Sequence, residues 1–177
     1  MKILSKTPTL IINRRIVLLN ILIILLTFSL ASCKNRSKER SEAELSEMAM
    51  KICLNNIILD SHIDWPEWLV YNPVDISELI TIGDFDLVRA KKGGLNAALS
   101  VVYINSHFEV DSARFVFEYL LNKVRYYAKT YPDKFALAVS PGDVRKNFDN
   151  KLFSLIPCLE NGSPIGNDPG YLNYIKD

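Results

Sequence analysis

The sequence predicts an α/β fold built on a parallel sheet, and three observations carry that prediction. Its strand candidates are continuous apolar runs with no polar alternation, the pattern of strands covered on both faces. Segments of helical periodicity fall between them, so strand and helix alternate along the chain. The residues with chemistry to offer, His62, Asp64 and Glu160, stand just past the C-terminal ends of two of those runs, the edge at which (β/α) barrels place their active residues.

Leu45, Met48, Ala49 and Ile52 have helical spacing and predict a first helix, ended by Asn55-Asn56. IILD, residues 57 to 60, follows as a short buried strand leading into His62. Residues 65 to 94 are rich in Pro, Asp and Gly and read as a loop, with one helical turn near Asp86 to Lys92. LNAALSVVYI, residues 95 to 104, is the second strand. Ala113, Val116, Phe117, Leu120, Val124 and Tyr127 share one face and mark the clearest helix, 113 to 129, with Pro132 beyond its end. FALAVS, 135 to 140, is strand-like. Ser140, Pro141 and Asp143 then supply an N-cap, a first-turn proline and a first-turn acid, which predicts a short helix to about Phe148. LFSLIPCLE, 152 to 160, is a further buried strand ending at a carboxylate, and DPGYLNYIKD opens another helix.

A different composition precedes this pattern. The 177 residues, 49% hydrophobic and 23% charged, suit a globular protein of at most one domain. Residues 1 to 33, however, hold Lys2, Lys6, Arg14 and Arg15, no acid, and the apolar run IVLLNILIILLTFSL from Ile16 to Leu30. Basic stretch, apolar core and small residues in that order are the pattern of an export signal. Leu30-Ala31-Ser32-Cys33 resembles the lipobox of bacterial lipoproteins, in which the cysteine becomes the lipidated first residue; Cys33 is the lipidation candidate. An uncleaved anchor is the alternative, because the run approaches the roughly 20 residues that span a bilayer. The lipoprotein reading is preferred, since a membrane span has no need of that ending. Both readings put the remaining chain outside the cytoplasm, in the periplasm or at the cell surface, held to a membrane.

Without those four cations the chain has 17 basic against 20 acidic side chains, so charge offers no argument for a nucleic-acid partner. KNRSKERSEAE, 34 to 44, reads as a solvated tether. A disulfide is permitted in such a compartment, but Cys53 and Cys158 each lie in or beside an apolar stretch, and two buried free thiols are preferred to a bridge. No Cys-x-x-Cys or Cys/His cluster marks a structural zinc site.

Side chains two apart on a strand point the same way, so His62 and Asp64 can offer a nitrogen and an oxygen to one cation. Taken alone, the pair is weak evidence, and two polar residues that happen to follow a strand is the commoner reading. His107 has no partner at ligand spacing and reads as a surface histidine. Glu160 directly follows LIPCL, an expensive place for a charge unless a cation meets it or the strand has ended in water.

DSHIDWP, FDLVRAKKGGLNAALSVVYI, YPDKFALAVSPGDVRKNF and LENGSPIGND, in that order, resemble the renal or membrane dipeptidase family, zinc-dependent hydrolases of the amidohydrolase type. The likeness runs from about residue 45 to the last residue. It implies the N-terminal part of a (β/α)8 TIM-type barrel with two zinc ions. His62 and Asp64 would bind one ion, and Glu160 would bridge both as the catalytic centre's shared ligand. Dipeptides, often with a D residue at the C-terminal side, would be hydrolysed by a metal-activated hydroxide. Many members have Glu-Gly-Gly-His where this chain has Glu160-Asn161-Gly162-Ser163, although the ENG variant also occurs.

The family's two further zinc-binding histidines, and its substrate-contacting histidine and arginine, lie beyond the glutamate block, and no residue here matches them. A whole barrel takes about 250 residues, against 145 from Cys33 to Asp177. The expectation is therefore an N-terminal half of a metallodipeptidase barrel, residues 45 to 177, inactive by itself. Two rival readings stay open: a lipid-anchored, non-catalytic binding module, and one half of a split enzyme. A homo-oligomer is compatible with all three.

Overall fold

The computed structural model describes residues 40–176 together with Asn20 and Ile23, so the export signal, Cys33 and most of the tether lie outside the described residues. The first helix, α1 (Glu42–Asn55), starts earlier than its apolar spacing suggests. A capping box sets that start: Ser41 Oγ accepts from the Glu44 N–H at 3.2 Å, and Glu44 Oε2 accepts from the Ser41 N–H at 2.8 Å. The tether predicted for 34 to 44 is thus helical over its last three residues. At the other end the Asn55 and Asn56 amides donate to the carbonyls of Lys51 and Ile52, at 2.7 and 2.8 Å, and satisfy acceptors that the helix leaves open.

Four strands follow, β1 (Leu59–Ile63), β2 (Ala97–Tyr103), β3 (Phe135–Leu137) and β4 (Phe153–Glu160). They form one parallel sheet in the order β1-β2-β4-β3. The α/β class and the parallel sheet are as predicted. β3 covers only half of the expected 135 to 140 and pairs with the first residues of β4 alone. Its chain leaves the sheet at Val139, which is 86% exposed, because Ser140 is already the N-cap of α5 (Pro141–Asp149). With β3 set aside as an added edge, β1, β2 and β4 lie in chain order.

One face of the sheet carries the main core. Ala98 and Val102 of β2, and Phe153 and Leu155 of β4, meet side chains from three helices: α2 (Trp65–Tyr71), α3 (Leu87–Lys92) and α4 (Val110–Thr130). The face of α4 read from the sequence is the buried one, with Ala113, Phe117, Leu120, Val124 and Tyr127 inside. The opposite face of the sheet has a smaller cluster of Ala97, Ala138 and Val144 with Ile156 against it. The last helix is α6 (Pro169–Lys176).

Two expectations are corrected. Residues 65 to 94 are not a loop with one turn, since α2 opens that stretch. Pro66 stands in the first turn of α2, where its missing N–H is not needed. Trp65 and Leu69, four apart, bury the face that holds the helix down. The rest of the segment is tied to neighbours: Tyr127 Oη donates to the Val74 carbonyl and accepts from the Ile76 N–H, both at 3.3 Å. Asp86, fully buried, caps α3 through the Arg89 N–H at 2.8 Å. Burial opposes the charge on Asp86, but the Arg89 backbone and guanidinium outweigh it and hold the carboxyl below its ordinary range.

The second correction concerns β1. The run 57 to 60 was read as a buried strand; the strand is Leu59–Ile63, and four of its five residues are exposed. It stands at an edge of the sheet, with only β2 beside it among the described residues.

Candidate metal centre

Glu160 is the last residue of β4 and lies opposite Tyr103 of β2. Alternation along β4 puts it on the face of Ser154 and Ile156, away from the helix-covered core that holds Phe153 and Leu155. His62 reaches the same face by a less direct route. Asp60 is opposite Ala98, which belongs to the helix-covered side. Strict alternation would leave His62 there as well. Between Asp60 and Ile63 the register shifts by one residue, so Ile63 is opposite Ser100 and packs at the rim of the main core. His62 thereby turns to the Glu160 side, which is how a bulge re-aims a side chain.

Asp64 is outside the strand. It occupies the N-cap position of α2, with φ −85° and ψ 23°, and its side chain makes no capping bond. The next residue, Trp65, is buried and donates its indole N–H to Ser100 Oγ at 3.0 Å, which fastens the start of α2 to β2. His62 and Asp64 were expected just past a strand end, pointing together as strand neighbours. They do converge, but His62 is within β1 and Asp64 is on a helix start.

The result is a cluster of three donors. His62 Nε2 is 3.3 Å from Asp64 Oδ1 and 3.3 Å from Glu160 Oε2. One ligand atom from each residue lies within 4.8 Å of the others. Ligands held at about 2.0–2.2 Å around a tetrahedral zinc stand roughly 3.3–3.5 Å from one another, so the two distances from His62 and the N/O donor set fit that ion, with Asp64 and Glu160 within 4.8 Å of each other. The side chains are 54%, 55% and 44% exposed, which leaves the cluster open to solvent and to a substrate.

Two further residues shape the site. Asn161, directly after Glu160, has φ 74°, a left-handed conformation that asparagine tolerates. Its Nδ2 donates to the Ile104 carbonyl at 2.7 Å, while the Ile104 N–H donates to the Glu160 carbonyl at 3.1 Å. Both polar groups of buried Ile104 are therefore spent on the end of β4. Glu67, in the first turn of α2, has its carboxyl pushed up by partial burial and by the charges of Asp64 and Glu160. Glu67 was missed in the sequence; its spacing of three from Asp64 would have flagged it had α2 been recognised.

His107 is exposed and outside the cluster, as expected. Cys53 and Cys158 are both free, as expected, but each is only half-buried. Cys158 lies opposite Val101 on the face of Glu160, whose outer part is less covered than the helix side.

Fold and cluster together define an α/β protein with a candidate metal centre at the C-terminal edge of a parallel sheet. The family follows from comparison: the profile of the membrane dipeptidases, peptidase family M19, matches residues 46–177, and the chain belongs to that family. No curated protein sequence matches it. Among solved structures, the probable dipeptidase PvdM from Pseudomonas aeruginosa is similar with a TM-score of 0.63 at 20% identity, over 76% of this chain and 36% of that one. Dipeptidase AC, a metallopeptidase of family M19, gives 0.59 at 20% identity, over 68% and 40%. A metallopeptidase from Rhodobacter sphaeroides, liganded with a phosphinate mimic of the dipeptide L-Ala-D-Ala, gives 0.60 at 18% identity, over 67% and 42%. The chain spans about two fifths of the length of these structures, and at such identities the likeness bears on the fold alone.

Proposed function

We propose that His62, Asp64 and Glu160 hold a divalent metal, zinc by the chemistry of the donors, in a metallodipeptidase to which residues 45 to 177 contribute the N-terminal half of a (β/α)8 barrel. The observation that carries the reading is the convergence of three potential donors within 4.8 Å of one another, two of them 3.3 Å from His62 Nε2, in a chain of the membrane dipeptidase family. His62 Nε2 and Asp64 Oδ1 would serve one ion. Glu160 contributes Oε2 to that group and retains a second oxygen for a neighbouring ion, which supports the bridging role. When bound, the metal supplies Lewis acidity and lowers the pKa of nearby water. The protein's part is to keep three donors aligned at the strand ends and to leave that edge open. No residue from 40 to 176 is assigned to the remaining ligands or to substrate recognition.

The substrate class proposed is the dipeptide, in keeping with the family and with the dipeptide mimic held by the Rhodobacter relative. The proposed location is outside the cytoplasm, with Cys33 as the lipid anchor, on the strength of the signal-like N-terminus. Among the described residues no helix is long and apolar enough to cross a membrane.

The test is metal uptake. The metal-free chain should bind zinc, and His62→Ala and Glu160→Ala should each reduce binding below detection by titration calorimetry. His62 is exposed and Glu160 half-buried in a polar cluster, so their melting curves should stay within about 0.5 kcal/mol of the parent. Zinc bound equally by a variant lacking all three donors would sink the reading. In the native enzyme the same substitutions should abolish dipeptide hydrolysis.

A further inference from the structure

We infer that Asp60 is a positioning residue for His62, acting through the bulge of β1. This rests in part on the metal reading above. The bulge decides the face on which His62 stands, as the register between Asp60 and Ile63 establishes. An inserted residue lacks a ladder partner, and β1 is an edge strand with β2 alone beside it among the described residues. The ladder with β2 and the packing of Ile63 hold the flanks of the bulge, and the residues between them need a local tie. The His62 N–H donates to Asp60 Oδ1 at 2.9 Å, a local closure from a side chain to the backbone two residues on. It occupies the amide of the residue that must turn, and it draws residues 60 to 62 into the compact arc that the bulge requires.

Asp60 is suited to this task and to no other visible one. It is exposed, so it adds nothing to the core. Among the described residues its side chain makes this one hydrogen bond and no ion pair. It is also not one of the three donors that share a point, being aligned with Ala98 on the other side of the sheet. The role is that of an acceptor, so a neutral amide oxygen in the same place should perform it.

Asp60→Asn keeps the acceptor and Asp60→Ala removes it. Crystal structures of the metal-free full chain and cobalt(II) titrations followed by visible absorption would be compared across parent and variants. In Asp60→Ala, His62 should leave ion-pair distance of Glu160, and cobalt(II) affinity should fall by about tenfold or more, the usual scale for losing a group that orients a ligand. Melting of the metal-free protein should be unchanged. Asp60→Asn should restore the geometry and the affinity. Asp60→Ala with His62 still beside Glu160 and affinity within twofold of the parent would overturn the inference. So would an Asp60→Asn variant as impaired as the alanine, since negative charge and not the acceptor would then be at work. If the parent itself takes up no cobalt(II), the metal reading fails, and the crystal comparison alone decides the role of Asp60.

Discussion

β1 and β2 are neighbours in one sheet and are built to opposite ends. In β2, Ala97, Ala98, Val101 and Val102 are at most 1% exposed, and the pairing to β4 runs in unbroken register from Ala97 to Tyr103. β1 is exposed at four of five positions and its register slips. The difference has a physical logic. Among the described residues β2 has a ladder on both sides, where a bulge would break two, and β1 has one to disturb. An unpaired charge is costly in the interior and tolerable at the rim. Stability therefore resides in the central pair, β2 and β4, while His62 and Asp64 stand beside it and meet Glu160 at the end of β4.

The sharpest attempt to break that comparison strikes the central pair. Phe153 of β4 is fully buried between the rings of Phe85 and Phe135. Phe153→Ala should cost about 3–5 kcal/mol in urea denaturation, and a cost near that of a surface change would refute the division of labour. A smaller loss is expected from Ser100→Ala in β2. It leaves the buried Trp65 indole N–H without its acceptor, at a cost of about 1–3 kcal/mol.

The smallest effects are in titration, and their signs differ between carboxyls away from the cluster and the one beside it. Asp86, Asp75 and Asp143 are all held below the ordinary value of 3.8. For Asp86 and Asp75 burial is the largest influence and acts upward, but hydrogen bonds from Arg89 and from Tyr131 and Ser77 prevail. For Asp143 the Ser140 hydroxyl leads. Their folded pKa values lie below the unfolded ones, so their stabilisation is present above about pH 4 and is lost as pH falls through the folded values. The urea midpoint should be level from neutrality down to about pH 5 and decline below pH 4. Glu67, beside the donors, is shifted upward from 4.5, so it weakens the metal-free protein as pH rises through and beyond that value. Glu67→Gln should stabilise the metal-free chain at pH 7 by no more than about 0.5 kcal/mol, with the gain vanishing in acid. A gain that persists at pH 4 would disprove the electrostatic account.

Much of the fold was legible because its signals are local. The helical face of α4, the Ser140 cap of α5 and the apolar runs of β2 and β4 each depend on residues within a few positions. What escaped was of two kinds. α2 was hidden by its short length in a Pro- and Gly-rich stretch, and its inner face finds its partners only in the fold, Trp65 meeting Tyr127 edge-on at 5.3 Å and bonding to Ser100. β1 was placed two residues early and thought buried, because an apolar run cannot disclose whether its strand lies at the centre or the edge of a sheet.

By itself, then, the sequence determined the α/β class, the order of most elements and the candidate donors His62, Asp64 and Glu160, since periodicity and residue chemistry are carried by neighbouring residues. Only the tertiary structure decided that those donors meet. Asp60 and His62 have the same parity, and alternation would have kept both on the helix side; the shift against β2 turned one of them across the sheet. Asn161 closes on Ile104 from 57 positions away, and Glu160 is opposite Tyr103 of β2. Contacts between residues so far apart are set by packing and strand register, and no local pattern encodes them.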